Sequence, residues 1–182
     1  MKKHPLPYRY PIKKTILLLF LFTTLLPTEG MASEKNILLL NSYNYEMQWT
    51  RSITEEISQV LKTAPTINLA VEFMDTKHYP GEEYREKLFE LYKQKYAGKK
   101  IDLLISSDDN AAKFTLQFRD KIFPGVPIVY CGVNDTDFPA RTDYKNITGV
   151  LEKPGIENTL LLITEMFPKT THLYIVNESH TT

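Results

Sequence analysis

A single cysteine, Cys131, and a single tryptophan, Trp49, are the scarcest residues of this chain. One thiol cannot close a disulfide within the chain, so a disulfide scaffold is excluded and stability must come from a packed core. An excess of one charge is missing too: 22 basic residues balance 22 acidic ones, and no segment gathers lysine and arginine into a stripe. Nucleic-acid binding, which needs clustered cations against phosphates, is set aside. The chain has no Gly-x-Ser-x-Gly elbow, no Walker phosphate loop and no paired-cysteine metal spacing. His78 and His172 lack the i, i+4 spacing of a helical metal pair, and no metal or cofactor is expected. Cys131 lies inside an apolar run and reads as a buried structural thiol rather than a nucleophile.

What is present begins with a leader. Lys2, Lys3, Arg9, Lys13 and Lys14 precede an apolar run from Ile16 to Leu26, and Gly30-Met31-Ala32 follows with small residues. That is the layout of a secretory signal peptide over residues 1–32, and an apolar run of eleven residues, broken only by Thr23 and Thr24, is short for a membrane span, which needs roughly 20. An uncleaved anchor is the competing reading. Cleavage after Ala32 would leave 17 basic and 21 acidic residues, a net charge of −4. The expected location is therefore periplasmic or otherwise extracytoplasmic, with membrane contact only through this segment.

Beyond residue 35, two periodicities alternate. Apolar runs at 37–40, 69–73, 101–105, 128–133 and 173–176 suit strands covered on both faces, the second interrupted by Glu72. Between them, Ile53, Ile57, Val60 and Leu61 keep helical spacing, with Thr50 as a candidate N-cap and Pro65 beyond the end. Tyr84, Leu88, Leu91 and Tyr92 do so again, with Glu82 and Glu83 in the first turn, Lys95 late and Gly98 as a stop. A third helix is predicted from Asp109 to Ile122, and a fourth from Ile156 to Phe167 on Ile156, Leu160, Ile163 and Phe167. Strand and helix in alternation predict an α/β fold, a doubly wound, mostly parallel sheet with helices on both sides.

In such sheets ligands bind beyond the carboxyl ends of the strands. The first four predicted strands each end in polar residues: Asn41-Ser42-Tyr43, then Asp75-Thr76-Lys77-His78-Tyr79, then Ser106-Ser107-Asp108-Asp109-Asn110, then Asn134-Asp135. Tyr43, Tyr45 and Trp49 add aromatic faces suited to stacking on a small organic ligand. Plainer roles compete with this one. Asp108 or Asp109 would serve as a helix cap, Asn134-Asp135 as a turn, and Trp49 as a core plug. The Asp108-Asp109 pair also suggests a receiver-type phospho-acceptor, but that chemistry wants acids after the first strand, where Asn41-Ser42 stand.

The segments LLLNSYNYEMQWT, VEFMDTKHYPGEEY, DLLISSDDNAAKF, FPGVPIVYCGVND and NITGVLE, in this order, resemble the extracytoplasmic substrate-binding proteins of ABC transporters, in the branch that also forms sensor domains of bacterial histidine kinases. The resemblance covers about residues 36–178. It implies a type I periplasmic-binding-protein fold, with a first ligand-binding lobe over 36–148, and a hinge crossing and incomplete start of a second lobe over 149–182. It implies ligand contacts at Ser42, Tyr43, Trp49, Asp75, Asp108, Asp109 and Asn134, and no catalysis. The partners implied are a small-molecule ligand and an ABC permease or a membrane signalling module. His78 stands where family members often carry a basic residue, so charge there depends on pH. A two-lobed member needs on the order of 280 residues, so the expectation is a truncated second lobe. An enzyme using the same crevice, with Asp75, Asp108 or Asp109 as acid or base, is the reading of a different class.

Overall fold

The structure, a computed structural model, describes residues 33–138 and 145–176. The signal-peptide expectation for 1–32 lies outside them, as does the end of the second-lobe segment, 177–182. No helix among the described residues is long and apolar enough to cross a membrane.

Among the described residues, five strands and four helices follow one another as β1 (Lys35–Asn41), α1 (Gln48–Leu61), β2 (Ile67–Phe73), α2 (Glu82–Lys95), β3 (Leu103–Ser107), α3 (Asp109–Ile122), β4 (Ile128–Val133), β5 (Ile147–Leu151) and α4 (Ile156–Met166). All strand pairs are parallel and the sheet order is β2-β1-β3-β4-β5. This is a Rossmann-like α/β fold, as the alternating periodicity predicts. The chain steps from β1 outward to β2, returns past β1 to β3, and continues in that direction. The strand order therefore reverses between β1 and β3, and adjacent loops there leave the sheet on opposite sides.

Leu38, Leu40 and Leu104 point to the face carrying α2 and α3, where Phe89, Phe114 and Phe118 form the aromatic centre of the main core. The Phe89 and Phe118 rings stack with centroids 4.6 Å apart. Ile37, Leu39 and Ile105 point the other way, toward Ile57 and Leu61 of α1. The β1 run is thus covered on both faces, as a run of aliphatics demands. Glu72, the polar interruption in β2, accepts the Tyr96 hydroxyl at 2.5 Å and meets Lys95 Nζ at 2.5 Å. Its charge is paired at the helix α2 terminus rather than left in the core.

Several expectations change. Thr50 is not an N-cap; it is buried in the first turn of α1, which starts at Gln48 because Asn44 Oδ1 accepts the Glu46 and Met47 amides ahead of it. Leu91 faces solvent, and Phe89 takes the core position beside Leu88. Residues 173–176 form no strand: no strand among the described residues pairs with them, and Tyr174 and Val176 are 87% and 97% exposed. Ile147–Leu151, at the start of the segment that the resemblance implies as a hinge crossing, forms the fifth strand of the sheet. On β4, Ile128, Tyr130 and Val133 are buried, while Val129, Cys131 and Gly132 are half-buried.

Candidate functional site at the strand tips

At the point of strand reversal, the loop after β1 and the N-terminus of α3 are joined by side chains. Ser42 Oγ donates to the Ser107 carbonyl at 2.9 Å and accepts the Ala111 amide at 2.8 Å. It therefore caps α3 from another element, satisfying a first-turn donor that has no intrahelical partner. Tyr43 is buried, and its hydroxyl donates to Asp108 Oδ1 at 2.9 Å. The Asp109 amide donates to the same oxygen at 2.7 Å. Lys77 Nζ lies 5.2 Å above the Tyr43 ring, a cation–π distance.

Asp108 sits in an unusual backbone state, φ 75° and ψ 167°. Those angles belong to a region essentially reserved for glycine and cost on the order of 1–3 kcal/mol in any other residue. The sequence places a carboxylate there regardless. Burial raises the Asp108 pKa above its ordinary value, a push opposed by the hydrogen bonds from Tyr43 and the Asp109 amide. Asp109, also buried, accepts the Asn134 amide at 3.2 Å and the Asp135 amide at 3.4 Å, tying the tip of β4 to that of β3.

Asp75, at φ 53°, follows β2. Its Oδ1 accepts Asn44 Nδ2 at 3.0 Å and lies 2.8 Å from His78 Nδ1. The Thr76 amide and hydroxyl both donate to the Ser42 carbonyl, at 2.9 and 2.8 Å, and Asn110 Nδ2 donates to Thr76 Oγ1 at 3.0 Å. A continuous hydrogen-bonded web thus links the tips of β1, β2, β3 and β4.

Trp49, in the first turn of α1, is 44% exposed. A Cβ built on Gly132, whose φ is +65°, would lie 3.4 Å from Trp49 Cζ2 and 3.7 Å from the Asp108 amide nitrogen. The indole therefore rests over the β4 backbone beside Asp108, with part of its surface open to solvent. Gly132→Ala is expected to lower stability by about 1–2 kcal/mol through the positive φ and to shift Trp49 emission. Urea titration followed by tryptophan fluorescence reads both. Unchanged emission would mean that the indole does not rest on residue 132.

All seven residues singled out in the sequence converge on this edge, but in different roles. Ser42 and Tyr43 are buried and serve as braces, so Tyr43 offers no free ring for stacking. Tyr45 turns its hydroxyl to Glu55 at 2.7 Å and its ring edge-on to Phe73. Tyr43 meets Asp108 from within the fold, and Trp49 is the half-exposed aromatic near it. Asn44, Thr76 and Gly132 were not among the predicted contacts. A glycine inside an apolar strand run marks a close backbone approach, and an asparagine just ahead of a helix marks an Asx turn. Those two signals were readable; the two hydrogen bonds of Thr76 to Ser42 were not. Burial also raises the Cys131 thiol pKa, which disfavours the nucleophilic thiolate. Compared with protein families, curated proteins and solved structures, the chain matches none.

Proposed function

We propose that this chain captures a small solute outside the cytoplasm, as the ligand-binding lobe of a type I periplasmic-binding-protein-like receptor of the ABC transporter substrate-binding type. In this reading the receptor serves uptake, or alternatively forms the sensor part of a histidine kinase. One observation carries it: the polar tips of four parallel strands meet at the reversal of strand order, around a strained buried carboxylate with a half-open indole beside it. Open α/β sheets bind ligands at that place. Asp108 also caps α3, and backbone strain of this kind gathers at ligand clamps. The ordered sequence blocks of the resemblance fall on the same tips. In an enzyme using this crevice, Asp108 would act as the acid, and turnover lost on Asp108→Asn would favour that reading.

Trp49 is the only tryptophan, so its emission reports directly on the crevice. The expected result is that one member of a panel of small metabolites, added to the whole protein, changes that emission saturably and raises the melting temperature. A ligand at a hundredfold excess over Kd stabilises by roughly 2.7 kcal/mol. Folded protein that responds to no member of a broad panel, by either readout, would count decisively against capture of a small solute.

A further inference from the structure

A pocket of about 240 Å³ opens between the loop after β2 and the first turns of α2 and α3. Thr76, Tyr79, Glu82, Tyr84, Arg85 and Asn110 line it. Thr76 and Asn110 belong to the hydrogen-bonded web of the strand tips, but Trp49, Asp108 and Gly132 take no part in this wall. Pro80 and Gly81 turn the chain around the hollow, with Gly81 at φ 107°, a backbone state that glycine adopts without strain. The Tyr84 hydroxyl donates to the Met74 carbonyl at 2.8 Å and holds α2 against the end of β2.

Three features of the wall point to a ligand. Arg85 Nε is buried and has no acceptor among the described residues, whereas buried donors in folded proteins are normally paired. Asn110 commits its Nδ2 to Thr76, and no donor among the described residues reaches its side-chain oxygen. Tyr79 stacks on Tyr84 with centroids 5.2 Å apart and is still 56% exposed. Water would serve the two polar atoms, but it has no use for an open aromatic face. Charge and size narrow the class. Arg85 is paired with Glu82, whose other oxygen accepts Gln117 Nε2 at 3.4 Å. An anion would have to displace Glu82, and a cation would meet the guanidinium. Drug-sized ligands occupy pockets of about 300–1,000 Å³, so the occupant here is smaller.

We propose that this pocket is a second binding site, distinct from the Trp49 crevice, for a neutral, hydroxyl-rich solute of monosaccharide size. A hydroxyl group both accepts and donates, so it can take the Arg85 Nε proton donor and serve the Asn110 oxygen. The C–H face of the sugar ring covers the open face of Tyr79.

Calorimetric titration of the whole chain with a set of neutral monosaccharides, and with phosphate and ethylammonium as charged probes, tests this. At least one monosaccharide should bind saturably and the charged probes should not. Arg85→Lys keeps a charge for Glu82 but has no Nε, and Tyr79→Ala removes the ring; each should weaken binding by roughly 10-fold or more. Tyr79 and Arg85 belong to none of the core clusters, so circular dichroism should stay unchanged in both variants. Trp49→Phe should leave the affinity as it is. The proposal is overturned if no monosaccharide binds, or if phosphate or ethylammonium binds in their place. A monosaccharide lost with Trp49→Phe but kept by the Arg85 and Tyr79 variants also overturns it, and leaves solute capture at the Trp49 crevice standing.

Discussion

Valine in place of Gly149 is expected to cost the protein about 3 kcal/mol or more, the largest effect of any single change considered. Gly149 pairs with Tyr130 across the β4–β5 ladder. Its φ is not in the left-handed region, so backbone freedom is not the reason for glycine there. The reason is contact: a Cβ would overlap the Tyr130 carbonyl oxygen and come within 2.5 Å of the ring carbon Cγ. Neither can withdraw at small cost. The carbonyl belongs to the β4 backbone, and the ring is buried, edge-on to Phe138 with centroids 5.1 Å apart, in a cluster with Ala112 and Val133. Even Gly149→Ala should lower the urea midpoint with little change in slope. Tyr130→Ala in the same chain should restore part of the loss, because it removes the ring and leaves the carbonyl. A midpoint unchanged by Gly149→Ala would show that β5 does not lie at this register.

Periodicity made the layers legible, because burial on one or both faces leaves its mark on neighbouring residues. The run Leu38-Leu39-Leu40 announces a strand covered on both sides, and Phe114 and Phe118 announce the inner face of α3. Pattern fails where the deciding partner is distant in sequence. In α2, nothing local ranks Phe89 above Leu91; the Phe118 ring across the interface does. Residues 173–176 have the composition of a strand, but a strand needs a neighbour, and composition does not supply one. The hinge crossing from residue 149 rested on the resemblance alone, and no local pattern announced that Ile147–Leu151 would pair with β4. The site follows the same division. Polar residue types at four strand tips were visible, whereas Ser42 bracing α3 and the glycine-like backbone of Asp108 depend on contacts about 65 residues apart in sequence.

Asp108→Asn should make the folded protein more stable at neutral pH and, on the proposed solute-binding reading, weaken its grip on ligand. The side chain is 6% exposed, and burial is the first cause of its raised pKa. Between the ordinary carboxyl value of 3.8 and the higher folded value, the native protein keeps a proton that the unfolded chain has lost. Stability from this group therefore falls as pH rises through that window and remains at the lower level above it. Asparagine keeps an oxygen for the Tyr43 hydroxyl and the Asp109 amide but removes the buried charge, so a gain of about 1 kcal/mol is expected at neutral pH. The gain should vanish once the pH falls below the unfolded value, where both proteins carry a neutral side chain. Binding should move the other way. A ligand donor that meets a carboxylate loses about 1.5–3 kcal/mol when the charge is removed, or roughly 10- to 100-fold in Kd. Thermal melts across acidic and neutral pH, paired with Trp49 titrations, separate the two effects. If the asparagine variant is less stable at neutral pH and binds unchanged, Asp108 is a helix cap whose charge the fold itself requires, and the strained carboxylate has no part in holding a solute.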